Sequence, residues 1–189
     1  MADNTPQIPA SRVPLLEGER DIMSREWYRY FNNLQGAALS PGYGVFVKTT
    51  DQSPAAINTE YLLTFDSTQV ANGISIGTPA SRVVASVLGL YQFSATVQLT
   101  SGNASAKNVW VWFKKNGVAI ANTARVVTLN LNGGYTPLLV TVEASLQASD
   151  YIEVAFAADD INVTVDNIAA TAFAPASPSV RLVVQQTQQ

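Results

Sequence analysis

Asp159, Asp160 and Asp166 lie close together around the stretch "INVTVDN". Carboxylates so grouped can act as acid and base on a glycosidic bond or hold a hard cation. Either chemistry needs the side chains to converge, and an alternating stretch sends neighbours to opposite sides. No acid/base partner stands out beside them. The chain has no His and no Cys, which removes most general bases, nucleophiles and all thiolate ligands. A solvated turn is the expected role of these aspartates. Asn132-Gly133-Gly134 reads as a turn and not as a phosphate-binding loop. The expectation is a non-enzyme with no catalytic, cofactor or metal site.

The other conspicuous residues are aromatic. "SREWYRYFNNLQG", Ser24 to Gly36, carries four of them. Met23, Trp27, Tyr30 and Leu34 recur at steps of four, three and four, which predicts one helical seam. Phe31 broadens it, Arg20, Arg25, Arg29 and Glu26 take the other face, and Gly36 is a natural stop. A helix of about fifteen residues is marginal alone in water. It must pack on its own β domain, on copies of itself around a symmetry axis, or on a partner. In "NVWVWFKK", Val109, Val111 and Phe113 form one face and Trp110 and Trp112 the other. Both faces are apolar and want covering, since soluble monomers avoid such patches. Burying one Trp by area contributes about 4–6 kcal/mol. A second sheet, the helix or a subunit interface would serve.

The elements that hold these residues change character near Tyr43. Before it, Pro6, Pro9 and Pro14 predict an extended arm. Ile8, Val13, Leu15 and Leu16 mark that arm as one that docks, because a solvated tail needs no such residues. After it the period is two. "GLYQFSATVQL" puts Tyr91, Phe93, Ala95, Val97 and Leu99 on one face, as expected of a half-buried antiparallel strand. Tyr61, Leu63 and Phe65, then Ile152, Val154 and Phe156, then Ile161, Val163 and Val165, and finally Val180, Leu182 and Val184 repeat the pattern. Asn116-Gly117 predicts a tight hairpin, with further turns at Asn72-Gly73, Gly102-Asn103 and Asn132-Gly133-Gly134. Nine or ten short strands so spaced predict an all-β fold, an antiparallel jelly-roll β-sandwich behind an extended arm and one short helix. The expected division is 1–36 for arm and helix and 37–189 for the knob.

Composition narrows the partners. Charged residues are 13% against 47% apolar, about half the usual charged fraction, which favours subunit association. The net charge is −3 with no Lys/Arg cluster, so nucleic-acid binding has no electrostatic footprint. No apolar run approaches membrane-spanning length, and "MADNTPQIPASRVP" lacks an export pattern. A soluble chain made in a cytoplasm, binding neither nucleic acid nor membrane, is expected.

Three stretches together resemble a known family: "LTFDSTQVANGISIG", "PASRVVASVLGLYQFSATVQL" and "VWVWFKKNGVAI". An early Phe65-Asp66, a Gly89-x-Tyr91-x-Phe93 strand and an aromatic strand running into Asn116-Gly117 follow the order of complement-subcomponent and tumour-necrosis-factor-like jelly-roll heads. That resemblance implies a tight trimer. The front is similar to leader segments of tailed-bacteriophage structural proteins, through Val13-Pro14, Arg25 to Tyr28 and Phe31. "FAPASPSVRLVV" looks like the end of such modules. The two resemblances imply a homotrimeric virion protein, expected to be a capsid decoration or cement protein that contacts a major capsid protein or another virion component. Ile8, Val13, Leu15, Leu16, Trp27 and Phe31 are the expected virion-binding residues. Met23, Tyr30, Leu34, Trp110 and Trp112 are the expected trimer interface. The alternative is a trimeric fibre or spike tip whose far loops bind a host-surface receptor.

Overall fold

The computed structural model describes residues 8–10, 13–17, 22–38, 41–130 and 132–188. Pro6 and Arg20, assigned above to the arm and to the polar helix face, lie outside these. The chain divides into two compact units, Met1–Pro41 and Gly42–Gln189.

In the first unit, β1 (Leu16–Glu17) pairs antiparallel with β2 (Ile22–Met23), and α1 spans Arg25–Ala38. Leu16 and Glu17 are extended, as expected of the arm, and find backbone partners in Met23 and Ile22. Two expectations are corrected here. Met23 is a strand residue, so the helical seam begins at Trp27. The helix starts after Ser24, whose carbonyl accepts the Tyr28 N–H at 2.9 Å, and Glu26 in its first turn suits the positive end of the dipole. It runs on through Gly36 for two residues, so that glycine is not its stop.

The second unit contains β3 (Tyr43–Lys48), β4 (Tyr61–Leu62), β5 (Ser67–Asn72), β6 (Ile74–Ile76) and β7 (Val83–Ala85). The long strands β8 (Gly89–Ser101) and β9 (Lys107–Lys115) follow, then β10 (Val118–Ala119), β11 (Arg125–Leu129) and β12 (Thr136–Leu146). Last come β13 (Tyr151–Ala158), β14 (Val163–Val165) and β15 (Val180–Gln188). One sheet runs β12-β8-β15-β3-β5, with β14 also on β8. The other runs β10-β9-β13-β7-β6, with β11 on β9 and β4 on β13. Every pairing between these strands is antiparallel; the isolated Ser101–Asn132 bridge is parallel. The order β3-β15-β8-β12 in one sheet faces β7-β13-β9-β11 in the other, the interleaving of a jelly roll. The expected all-β sandwich is what the chain forms.

Period-two burial explains the core. Tyr91, Phe93, Ala95, Val97 and Leu99 of β8 are fully buried, as are Val109, Val111 and Phe113 of β9 and Ile152, Val154 and Phe156 of β13. Phe93 packs between Tyr91 and Phe113, with ring centroids 6.3 and 6.4 Å away. Leu63 and Phe65 are buried although the regular strand ends at Leu62. Ile161 is exposed, contrary to the alternation reading, because β14 begins only at Val163. Gly89 is required by a close approach: a Cβ there would lie 2.4 Å from the Gln186 amide nitrogen and 2.6 Å from the Gln188 carbonyl. The buried Gln186 side chain also accepts the Gly42 N–H at 2.7 Å, tying the first residue of this unit to its last strand.

Candidate functional site

The aspartates are engaged by protein donors. Asp159 accepts the Asn108 backbone N–H at 2.9 Å and its side-chain amide at 3.0 Å. Asp160 accepts the Asn162 N–H at 2.8 Å, the Asn103 amide at 2.7 Å and the Lys107 ammonium at 3.1 Å. The Asn162 N–H, and then Lys107, hold its carboxyl below the usual range. These bonds fix loops. Asp166 is different. Burial and the neighbouring Asp51 charge push its carboxyl up, opposed by the Asn167 N–H and the Tyr135 hydroxyl. The Asp51 carboxylate itself accepts the Asn167 N–H at 2.8 Å. Among the described residues, no three acidic groups gather as a metal site would need.

The aromatic expectation for α1 meets a defined cluster. Trp27 stacks on Phe31 at 5.7 Å and meets the Tyr30 ring edge-on at the same distance. Its indole N–H donates to the Val13 carbonyl at 3.1 Å, which draws the proline-bounded segment onto the helix. Val13, Trp27 and Tyr30 are half-buried, while Ile8, Leu15, Leu16, Met23, Phe31 and Leu34 are exposed. Residues assigned above to virion docking and to the trimer axis therefore share one face: Trp27, Tyr30, Phe31 and Leu34 form a single stripe. Tyr28, exposed on another side of the helix, adds an aromatic that the seam reading passed over.

No family model and no curated protein matches this chain. The surfaces must be judged on their own chemistry.

Trp110 and Trp112 lie on the face of the β9 sheet turned away from the core, half-buried. The register sets Trp112 opposite Ala155 and Trp110 opposite Ala157 on β13. Val126 of β11 flanks Trp110 on the other side, and Leu62 of β4 pairs with Ala155. Small alanines beside the indoles leave room for the rings to lie over the sheet. On the same face, Lys114 pairs with Glu60, and Arg82 reaches Glu153 at 3.7 Å while its guanidinium sits 4.3 Å from the Tyr151 ring centroid. The surface is an apolar strip with an ion-paired rim.

One exposed aromatic escaped the sequence reading. Phe173 sits in the loop between β14 and β15 and is 91% exposed. Its signal was the uncharged run "NIAATAFAPASPSV", Asn167 to Val180, with one large side chain in the middle.

Proposed function

We propose that this chain is a non-enzymatic structural protein of a tailed-bacteriophage virion. It acts as a homotrimeric decoration protein, its first unit clamping it to the shell and its jelly roll forming the knob. The observation that carries this reading is the uneven distribution of apolar surface. Ile8, Leu15, Leu16, Met23, Tyr28, Phe31 and Leu34, seven of eighteen exposed large hydrophobic residues among those described, fall in the first 41 residues. The jelly roll buries its own core and needs no help to fold. A small unit that leaves so many large apolar groups in water is built to bury them elsewhere, and rigid aromatics such as the Trp27 cluster dominate interfaces. Three such units on one trimer raise the effective concentration of the second and third contacts, so modest affinity per unit gives lasting attachment. The resemblance of Val13-Pro14, Arg25 to Tyr28 and Phe31 to phage leader segments supports the virion setting.

Deleting residues 1–41 tests the division of labour. The remaining 42–189 fragment is expected to be soluble, with a β-rich circular dichroism spectrum and one thermal transition. In co-sedimentation with particles lacking the protein, full-length chain should pellet and the fragment should stay in solution. Full occupancy by the fragment would move attachment to the jelly roll and overturn the proposal.

A further inference from the structure

Phe173 stands at the tip of an ordered loop. Ile168 and Ser177 exchange both backbone hydrogen bonds at 2.9 Å. Within that ladder the Thr171 N–H donates to the Ala174 carbonyl at 2.9 Å, and the Thr171 hydroxyl accepts the Ala174 N–H at 3.0 Å. At the root, the Asn167 N–H donates to Asp51 at 2.8 Å, and the Ser179 hydroxyl donates to the Thr50 carbonyl at 2.8 Å. A pinned loop that holds a phenylalanine in water has already lost the entropy that binding would cost.

The same end of the sandwich carries a matching hollow. A cleft of about 180 Å3 opens between the end of β11 and the start of β12, lined by Thr128, Leu129, Asn130, Gly134, Tyr135 and Thr136. Leu99 of β8 pairs with Thr136 at the cleft and with Val165 beside the root of the Phe173 loop, so loop root and cleft are neighbours within one chain. An apolar cavity of about 150 Å3 accepts benzene, so this cleft has the size for one aromatic ring. Phe173 of the same chain does not fill it, being almost wholly exposed.

We propose that Phe173 of one subunit seats in this cleft on the next subunit of the trimer. The inference rests on the homotrimer reading above. Knob and hole are different patches of one surface, which makes the contact head-to-tail, a kind that forms a ring when the rotation between subunits closes. Charge agrees: neither the loop nor the cleft lining carries a charged side chain, so seating one in the other desolvates no ion. Other occupants fit worse. A saccharide needs free hydrogen-bonding groups, and Thr171 spends its hydroxyl inside the loop. An anionic membrane needs cations, and the loop has none while Asp51 and Asp166 stand at its root. One phenylalanine presents about 150–250 Å2, well short of the roughly 800 Å2 per partner of a stable interface. Phe173 is thus an anchor within a larger contact.

The test places photoreactive p-benzoylphenylalanine at position 173 of the full-length chain. Irradiation should give covalent species at two and three times 20.2 kDa, with the cross-linked peptide mapping to residues 128–136. In parallel, sedimentation of Phe173→Ala should show the trimer dissociating at a concentration at least about tenfold higher than wild type. Thr136→Trp, which fills the cleft, should do the same. If wild type is a trimer and Phe173→Ala dissociates no more readily, or the cross-links map away from 128–136, this contact is overturned and the trimer stands. A monomeric wild-type chain removes both.

Discussion

Two aspartates in the jelly roll respond to their surroundings in opposite directions. Asp150 is held down to about 2 by the Gln147 N–H, by the Asn116 amide and by Lys115. The three donors lie at 2.9, 2.7 and 3.0 Å. Its folded pKa is below the unfolded one, so it stabilises the fold above about pH 4 and loses that contribution as the pH falls toward 2. Asp166 has a raised folded pKa, from burial and then from Asp51. Its protonated form is the one the fold prefers, so it favours folding below about pH 4 and opposes it once pH rises through the folded pKa. Thermal melts across pH should separate the two. Asp150→Asn should lower Tm at pH 7, with the difference fading toward pH 2. Asp166→Asn should raise Tm at pH 7 by removing the repulsion, with no gain below about pH 4. A lower Tm for Asp166→Asn at pH 7 would mean that the groups favouring its charged form outweigh its burial and its conflict with Asp51.

Hairpins and faces are the next scale. The β9–β10 turn has Asn116 at φ 49° and Gly117 at φ 82°, both left-handed, as a two-residue turn matched to strand twist requires. Asn116 also braces the β12–β13 turn, donating to Asp150 and accepting the Tyr151 N–H at 2.9 Å. At Gly117 a Cβ would meet nothing nearer than the Tyr151 hydroxyl at 3.6 Å. The cost of Gly117→Ala is therefore backbone strain alone, about 1–2 kcal/mol, or about 2–8 °C in Tm. The Trp110/Trp112 strip makes a different prediction. Trp112→Glu leaves the core untouched, because the side chain points away from it, and should keep the monomer fold. It should weaken the proposed trimer at least about tenfold in sedimentation, since a carboxylate without a partner is costly to bury. A wild-type dissociation constant would place Trp112 outside the subunit contact.

At the scale of the whole molecule, one unit closes its own core, while the described residues of the other leave much apolar surface exposed. The jelly roll joins distant parts of the chain: β3 pairs with β15, Lys48 opposite Val180, and a buried Gln186 holds Gly42. Such pairing makes the knob a cooperative body. Among its described residues, the first unit shows a two-residue ladder, one helix and the Trp27 cluster, and leaves Ile8 and Leu34 in water. On the reading proposed above, its stability is expected to depend on what it docks against, because most helical stability in proteins comes from packing an amphipathic face. Attachment and folding would then be separable, and the removal of residues 1–41 in the co-sedimentation experiment tests that separation.

Much of this was legible locally. Alternation in "GLYQFSATVQL" names the five apolar side chains that β8 buries, and Asn116-Gly117 names the β9–β10 turn, because side-chain period and turn geometry are set by adjacent residues. The lack of His and Cys and the low charge are likewise properties of the sequence alone. Tertiary structure decided the rest. Met23 satisfies a helical spacing, yet its backbone pairs with Leu16, a partner the spacing does not contain. Ile161 satisfies an alternation, yet β14 finds its ladder on β8 only from Val163. "NVWVWF" is apolar on both faces, so periodicity offers no choice between them. It took the opposing sheet to bury Val109, Val111 and Phe113 and turn the tryptophans outward. The uncharged run around Phe173 marks a loop but not its exposure, which depends on the Ile168–Ser177 pairing, and the cleft forms from residues some forty positions earlier in the chain. Local rules fix which residues share a side; only long-range pairing fixes which side meets water.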